Sequence, residues 1–254
     1  MLEVVDLTRR FGGLAAVEGV STRVEEGKVN AIIGPNGAGK TTFFNLLSGA
    51  LAPSSGAIRY EGRELAGRRA DQIAALGIAR TFQSTMLFEH ASVEDNLIVG
   101  HRLRVAFNLL DVLANSRRMR RHEQRCRDEA ARALDFVGLS HAAGRLVADI
   151  SQEERRRVAF ALALATRPRL VLLDEPAGGL NPDETQRIGE LIRKLVAHGI
   201  TVCLIEHKMS MVMPLSDKVM VLNHGRKIAE GTPAQIRCDP CVIDAYLGSE
   251  HAEL

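Results

Sequence analysis

One glycine-rich stretch constrains the fold of this chain more than any other feature of its sequence. It reads Gly34-Pro35-Asn36-Gly37-Ala38-Gly39-Lys40-Thr41 and matches the pattern G-x-x-x-x-G-K-[ST]. The apolar run Val29 to Ile33 comes directly before it, and Thr42 to Ser48 carries apolar residues at helical spacing directly after it. Between a strand and a helix, this pattern predicts a phosphate-binding loop.

The residue types in this loop suit a polyphosphate. Glycines allow successive backbone N–H groups to point inward as an anion nest, and the helix N-terminus adds the positive end of its dipole. We expect Lys40 to bring its charge to the terminal phosphates and the Thr41 hydroxyl to coordinate Mg²⁺. The alternative is a glycine-rich turn with a chance lysine, which leaves both flanks unexplained. The predicted nucleotide-binding residues here are Gly34, Pro35, Asn36, Gly37, Ala38, Gly39, Lys40, Thr41 and Thr42.

Two carboxylates follow a second apolar strand. Leu170 to Leu173 form the strand, and Asp174 and Glu175 come directly after it. A buried strand that ends in a carboxylate is how nucleotide-hydrolysing sheets hold a metal. We expect Asp174 to help position Mg²⁺ and Glu175 to polarise the attacking water as a general base. The alternative is a turn that merely ends the strand. Because the chain has no Asn-Lys-x-Asp element for guanine, ATP is favoured over GTP.

The composition is that of a soluble globular protein. The 254 residues are 46% hydrophobic and 25% charged, which excludes disorder and a disulfide scaffold. The net charge of +2 argues against a dedicated nucleic-acid binder. The apolar stretch Val158 to Thr166 is too short to cross a bilayer, and the start of the chain does not resemble a basic leader. With four cysteines that fit a reducing compartment, we expect a cytosolic chain.

The pattern of elements predicts an α/β body with a helical insertion. Strands that are apolar throughout, such as Leu170 to Leu173 and Ile200 to Ile205, favour a sheet covered on both faces. Residues 87–147 are helical in period and contain the arginine-rich stretch Arg117 to Arg127, which we interpret as a solvated helix face. We expect one domain, 1–254, with a core of 1–86 and 148–254 and a helical subdomain of 87–147.

With these motifs in order, the chain resembles the ATP-binding subunit of an ABC transporter over essentially its whole length. Gln83 in Arg80-Thr81-Phe82-Gln83 matches the glutamine loop of the family, and His207 matches its switch histidine. Gly179-Leu180-Asn181 matches the loop that meets a partner subunit, and Phe11 stands where an aromatic ring stacks on adenine. The resemblance implies a P-loop NTPase with a RecA-like core, an antiparallel β subdomain and an inserted α-helical subdomain.

Within this family, the chain is most similar to the ATP-binding subunits for branched-chain or other hydrophobic amino acids. The similarity lies in Arg10 to Leu14, Gly77 to Gln83, Leu204 to Met209, and the tail Ala229 to Gly248. It implies ATP hydrolysis that powers amino acid import. Other subunits of this kind serve urea or amide uptake and lipopolysaccharide export. A soluble ABC ATPase of translation or DNA repair is disfavoured, because such proteins carry two cassettes or long coiled-coil insertions.

The resemblance also implies partners and residue roles. ATP would be sandwiched between two such subunits, identical or different, which act on two membrane-spanning permease subunits and indirectly on a substrate-binding protein, without nucleic acid. The subunit would lie at the cytoplasmic face of the inner membrane. The implied catalytic residues are Glu175, His207 and Lys40, the implied metal site is Thr41, Gln83 and Asp174, and Phe11 and Ser151 would contact nucleotide.

The chain departs from the family at its signature sequence. Where the family has Leu-Ser-Gly-Gly-Gln, this chain has Ile150-Ser151-Gln152-Glu153-Glu154. Ser151 and Glu154 form a pattern typical of a helix-capping box. A carboxylate about 4 Å from a phosphate charge costs on the order of 4 kcal/mol at an effective dielectric constant of 20. We therefore expect this signature to serve the opposite nucleotide site poorly, which leaves a nucleotide-gated cassette with weak hydrolysis as the alternative function.

Overall fold

The computed structural model describes residues 1–81, 87–102 and 117–250. The chain divides into two compact units, one of Met1–Gln83 with Arg169–Leu254 and one of Ser84–Pro168. The second unit extends further along the chain than the predicted helical subdomain of 87–147. The reason is that the helix beginning at Gln152, which carries the signature residues, packs on the other helices of that unit.

In the described residues of the first unit, ten strands form two sheets. The strands are β1 Leu2–Phe11, β2 Leu14–Val24, β3 Val29–Ile33, β4 Ser55–Tyr60, β5 Arg63–Glu64, β6 Ile78–Thr81, β7 Leu170–Asp174, β8 Thr201–Ile205, β9 Lys218–Asn223 and β10 Arg226–Gly231. One sheet has four strands in the order β2-β1-β4-β5, and the other has six in the order β10-β9-β3-β8-β7-β6. The six-stranded sheet is parallel except for β10, which pairs antiparallel with β9.

The central strands of the six-stranded sheet are buried along their whole length. Every residue of β3, β7 and β8 is buried, as their continuous apolar sequences predict. A strand that is buried on both faces needs a covering layer on each side of the sheet. The apolar residues of these strands point alternately to the two faces, so both faces are apolar. β7 and β8 are in parallel register from Leu170 opposite Thr201 to Asp174 opposite Ile205, so these strands end at the same edge. The predicted α/β fold class is confirmed.

The four-stranded sheet is antiparallel. In β1, Leu2, Val4 and Leu7 are buried, and they join a core cluster that includes Phe43 and Phe44 of the helix after the glycine-rich loop. β1 extends as far as Phe11, since its pairing with β2 continues to the tight turn between them. This agrees with the antiparallel β subdomain that the resemblance implied.

Helices occur in both described units, and the helix predicted over Thr42 to Ser48 runs from Lys40 to Leu47 in the structure. The described helices are α1 Lys40–Leu47, α2 Ala70–Ala75, α3 Val93–Arg102, α4 Arg117–Phe136, α5 Gln152–Leu164, α6 Pro182–Ala197, α7 Met209–Leu215, α8 Pro233–Arg237 and α9 Pro240–Glu250. Asn181 caps α6 by accepting a hydrogen bond from the Glu184 N–H at 2.9 Å, and Pro182 occupies the first turn. Both features fix the start of α6.

The helical unit contains α3, α4 and α5, which pack on one another. On α4, Cys126, Ala130 and Leu134 are buried at helical spacing, whereas Arg121, Arg125 and Arg127 of the basic stretch are exposed. The arginines therefore lie on the solvated face of the helix, as predicted. None of the helices in the described part of the chain is long and apolar enough to cross a bilayer.

The burial of the six-stranded sheet predicts how much stability is lost when a core side chain is shortened. Leu172 of β7 is fully buried, so Leu172→Ala removes apolar contacts and leaves a cavity. We expect the free energy of unfolding to fall by about 2–5 kcal/mol. Leu14 is 69% exposed, and Leu14→Ala serves as the control, with a change within about 0.5 kcal/mol. Urea denaturation measures both, and equal losses would contradict the burial of Leu172.

Candidate nucleotide site

Three predicted site segments follow neighbouring parallel strands. The glycine-rich loop follows β3, His207 follows β8, and Asp174 and Glu175 stand at the end of β7. β8 lies between β3 and β7 in the sheet. Because the carboxyl ends of parallel strands meet at one edge, the three segments converge there. Ligands of open α/β sheets bind in the crevice outside these strand ends.

The glycine-rich loop is held in a backbone conformation that only glycine adopts without strain. Gly34 has φ 150° and Gly39 has φ 96°. A Cβ atom on Gly34 would lie 2.1 Å from the Leu222 carbonyl oxygen, and one on Gly39 would lie 2.3 Å from the Ala16 carbonyl oxygen. Both positions therefore exclude any side chain, for reasons of space as well as of φ.

Lys40 begins α1 and folds back over the loop. Its Nζ donates hydrogen bonds to the carbonyl oxygens of Gly34 at 2.7 Å and Pro35 at 2.8 Å. Burial lowers the pKa of the Lys40 ammonium, and the nearby carboxylates Glu175 and Asp174 oppose that shift. The Lys40 ammonium thus lies against the carbonyl groups at the start of the loop. Asn36, Gly37 and Thr41 are exposed.

Asp174 is buried in an ion pair that the sequence analysis did not predict. Arg80 of β6 donates from Nη2 to Asp174 Oδ2 at 2.8 Å, and the two side chains are 7% and 4% exposed. Nη1 of the same guanidinium donates to Asn45 Oδ1 at 2.7 Å and to Ser48 Oγ at 2.9 Å, both at the end of α1. The signal in the sequence was a single arginine within a short, otherwise mostly apolar strand, Ile78-Ala79-Arg80-Thr81.

Glu175 adopts a strained backbone conformation. Its φ is 47°, in the left-handed region that non-glycine residues rarely occupy, and its N–H donates to the Ile205 carbonyl oxygen at 3.0 Å. The next residues form a turn in which the Gly178 N–H donates to the Glu175 carbonyl oxygen. Strain of this kind is retained where the surroundings hold it in place, and it concentrates at functional sites.

Phe11 and His207 both have accessible side chains. Phe11 is 44% exposed at the end of β1, and the Arg9 guanidinium lies 4.6 Å from its ring centroid. Phe11 is therefore not part of the buried core. His207 is exposed directly after β8, which does not fit a buried structural histidine. Gln83, the remaining predicted metal ligand, lies outside the described residues.

Comparison with known protein families decides the identity of the fold. Residues 17–178 match the family model described as ABC transporter. The chain belongs to the ABC transporter ATP-binding cassette family. Residues 226–252 of the cassette also match a model described as Branched-chain amino acid ATP-binding cassette transporter. The predicted resemblance is confirmed on both counts.

Full-length relatives support the same assignment. The cassette is 46% identical to the high-affinity branched-chain amino acid transport ATP-binding protein BraF of Pseudomonas aeruginosa, over 98% of each chain. It is 42% identical to LivG of Escherichia coli K12, a protein with the same description, again over 98% of each chain. A crystal structure of the ADP conformation of an ATP-binding cassette of an ABC transporter superposes with a TM-score of 0.85 at 30% identity, covering 98% of each chain.

The signature residues of the cassette lie in the helical unit, where Ser151 and Glu154 form the predicted capping box. Ser151 Oγ accepts from the Glu154 N–H at 3.1 Å, and Glu154 Oε2 accepts from the Ser151 N–H at 2.8 Å. Burial acts to raise the pKa of the Glu154 carboxyl, but its hydrogen bonds with Ser151, the Arg145 charge and His141 outweigh burial and lower it. The carboxylate of Glu154 is thus engaged with its own helix.

Glu153 lies in the first turn of α5, but its side chain is only 7% exposed, and Oε1 accepts from Arg157 Nε at 2.6 Å, one turn further along the helix. Arg157 Nη1 also donates to the Val137 carbonyl oxygen at 3.2 Å. A cation four residues away thus pairs with the carboxylate, which reduces the repulsion that Glu153 would exert on a phosphate.

The loop Gly179-Leu180-Asn181 is fixed from two sides. The Asn181 side chain is used as the cap of α6, and Leu180 is buried. Lys208, next to His207, donates from Nζ to the Leu180 carbonyl oxygen at 2.7 Å and to Thr185 Oγ1 at 3.3 Å. The segment after β8 and the loop before α6 are therefore tied together through one lysine.

The close contact at Gly39 predicts a measurable loss. Gly39→Ala forces a Cβ against Ala16 and keeps a left-handed φ, so we expect a fall of at least about 2 kcal/mol in the free energy of unfolding. We also expect weaker ATP binding, measured by calorimetry. Gly13→Ala is the matched control, since nothing lies within 4 Å of a Cβ built on Gly13. A neutral Gly39→Ala would contradict the described loop geometry.

Proposed function

We propose that this cassette binds Mg²⁺-ATP at the edge formed by β3, β8 and β7 and hydrolyses it to drive import of branched-chain or other hydrophobic amino acids. The observation that carries the proposal is the convergence of the glycine-rich loop, Asp174 and Glu175 at the ends of neighbouring strands. The described transport role of relatives such as BraF and LivG supports the substrate class.

The loop would bind the triphosphate through its backbone and Lys40. Backbone N–H groups of the glycine-rich loop and the N-terminus of α1 favour anions. Lys40 then exchanges its present acceptors, the carbonyl oxygens of Gly34 and Pro35, for phosphate oxygens. Since a phosphate group is charged and a carbonyl is not, this exchange strengthens the hydrogen bonds of the ammonium. Phe11, exposed at the end of β1, would stack on the adenine ring.

The donor atoms near the loop fit a magnesium ion that arrives with the nucleotide. Mg²⁺ prefers oxygen ligands, keeps several waters and is held by one or two protein groups together with substrate phosphates. The Thr41 hydroxyl and the Asp174 carboxylate are such groups, and Gln83 is proposed as a third. Within the described parts of the chain, no group of three or more His, Cys, Asp and Glu could hold a metal by itself. When bound, the ion supplies positive charge to the phosphates.

Glu175 and His207 are the proposed catalytic side chains. Glu175 would accept a proton from the attacking water, and the left-handed φ of 47° sets the direction in which its side chain leaves the strand end. His207, exposed after β8, would contact the γ-phosphate region and report its loss on hydrolysis. Lys208, bonded to Leu180, couples that histidine to the loop before α6.

The cassette would act within a larger assembly. A second ATP-binding subunit would close over the nucleotide and contribute its signature helix, as Ser151 of this chain would do for the opposite site. Two membrane-spanning permease subunits and, indirectly, a substrate-binding protein complete the proposed importer, with the cassette at the cytoplasmic face of the cell membrane. The match of residues 226–252 to a model specific for branched-chain amino acid cassettes supports this assembly over a urea, amide or lipopolysaccharide system.

The role of Glu175 gives a direct test. Glu175→Gln removes the proton acceptor, so we expect ATP turnover to fall about a hundredfold or more while ATP binding is retained. Phosphate release from the assembled transporter measures turnover, and calorimetry on the subunit measures binding. Glu3→Gln, an exposed carboxamide substitution on β1, is the control and should leave both unchanged. Full turnover in Glu175→Gln would refute the assignment.

A second candidate function is a nucleotide-gated cassette with weak hydrolysis, favoured by the two glutamates at the start of α5. Glu153→Gly alone would leave the partly buried Arg157 guanidinium without its carboxylate, so the test pairs it with Arg157→Leu. Because the ion pair already neutralises Glu153, we expect turnover of this double variant within about twofold of wild type. A rise of tenfold or more would support the weakly hydrolysing alternative.

A further inference from the structure

Arg80 joins two elements that carry the proposed metal ligands. One amino group of its guanidinium holds Asp174 at the end of β7, and the other holds Asn45 and Ser48 on α1. Thr41 stands on the first turn of the same α1. The guanidinium is thus a planar bridge between the helix of the Thr41 hydroxyl and the strand of the Asp174 carboxylate.

The bridge is buried and hydrogen-bonded at both ends. The side chains of Arg80 and Asp174 are 7% and 4% exposed, so little water competes for their hydrogen bonds. The guanidinium carbon also lies 5.8 Å from the centroid of the Phe44 ring, which limits its movement. An arginine offers its donors in a fixed plane, whereas a lysine offers a single charged point that could serve only one end of such a bridge.

The orientation of the Asp174 carboxylate determines which oxygen atom a bound metal ion would contact. A carboxylate can contact a metal ion through one oxygen or through an intervening water. The strength of such a contact depends on how the carboxylate is oriented. Partners that orient metal-binding side chains typically change metal affinity 10–100-fold when they are removed. Arg80 is such a partner in this site, since it donates to Asp174 Oδ2 directly and is itself hydrogen-bonded to Asn45 of α1.

We propose that Arg80 is a positioning residue for the nucleotide-bound metal: it fixes the Asp174 carboxylate relative to Thr41, and so sets how much Mg²⁺ strengthens ATP binding. The inference rests on the proposed function and extends it to Arg80, to which the resemblance assigned no role. It distinguishes Arg80 from a purely structural arginine, whose replacement would lower stability without changing the dependence of ATP binding on metal.

The experiment measures the dissociation constant for ATP in the presence of Mg²⁺ and in EDTA, by calorimetry on the full chain. The ratio of the two constants gives the contribution of the metal. Arg80→Lys keeps the positive charge and loses the fork, so we expect that ratio to fall at least about tenfold. ATP affinity in EDTA should stay within about twofold of wild type, because the loop and Lys40 are unchanged.

Two further variants complete the design. Arg169→Lys is the matched control. Arg169 also bridges two side chains, the carboxylates of Glu26 and Glu61, but its own side chain is 55% exposed. It should leave the ratio unchanged. If Arg80→Lys does not fold, the pair Asn45→Ala with Ser48→Ala cuts the bridge on the α1 side and keeps the Asp174 contact, and the ratio should fall in the same direction.

The outcomes separate this inference from the function on which it rests. A folded Arg80→Lys protein with the wild-type ratio overturns the inference alone, as does an equal loss of ATP affinity with and without metal. An unchanged ratio in the Asn45→Ala, Ser48→Ala variant overturns it equally if that variant has to be used. Wild-type protein without affinity for ATP would overturn the proposed function, and the inference would fall with it.

Discussion

The structure of the site depends on the absence of side chains at two loop positions. Gly34 lies against the Leu222 carbonyl of β9, and Gly39 lies against the Ala16 carbonyl of β2, each at a distance that admits no Cβ. The Gly225 N–H, between β9 and β10, donates to the Ala38 carbonyl oxygen at 3.0 Å. Backbone from both sheets therefore reaches the loop directly. Main-chain contacts therefore hold the loop on all these sides.

Around this loop the charges are balanced. Lys40 and Arg80 are cationic, Asp174 and Glu175 are anionic, and the formal charges of the four cancel. Burial lowers the pKa of Lys40, and the charges of the two carboxylates counter this effect. In the proposed function, Lys40 would exchange its carbonyl acceptors, Gly34 and Pro35, for phosphate oxygens.

The signature helix shows how neighbouring residues change the meaning of a motif. In sequence, Glu153 replaces a glycine and places a negative charge where the family receives phosphate. In the structure, the carboxylate is buried against Arg157 one turn along α5, and Glu154 completes the cap of the helix with Ser151. Both glutamates are thus compensated within the helical unit. The capping box was predictable because it is local and runs over four residues, from Ser151 to Glu154. The partner of the Glu153 carboxylate, in contrast, depended on the side-chain conformation that the packing of α5 selects.

The sequence by itself determined the parts of this protein that local rules govern. Apolar runs predicted β3, β7 and β8, the glycine pattern predicted the loop, and the order of motifs predicted the family, because each of these signals lies within a few consecutive residues. Only the tertiary structure decided that Arg80 binds Asp174, that Glu153 turns to Arg157, that Phe11 is exposed, and that α5 belongs with the helical unit. The Arg80–Asp174 pair joins residues 94 positions apart, and the other outcomes depend on how side chains and helices pack, which the sequence pattern did not decide.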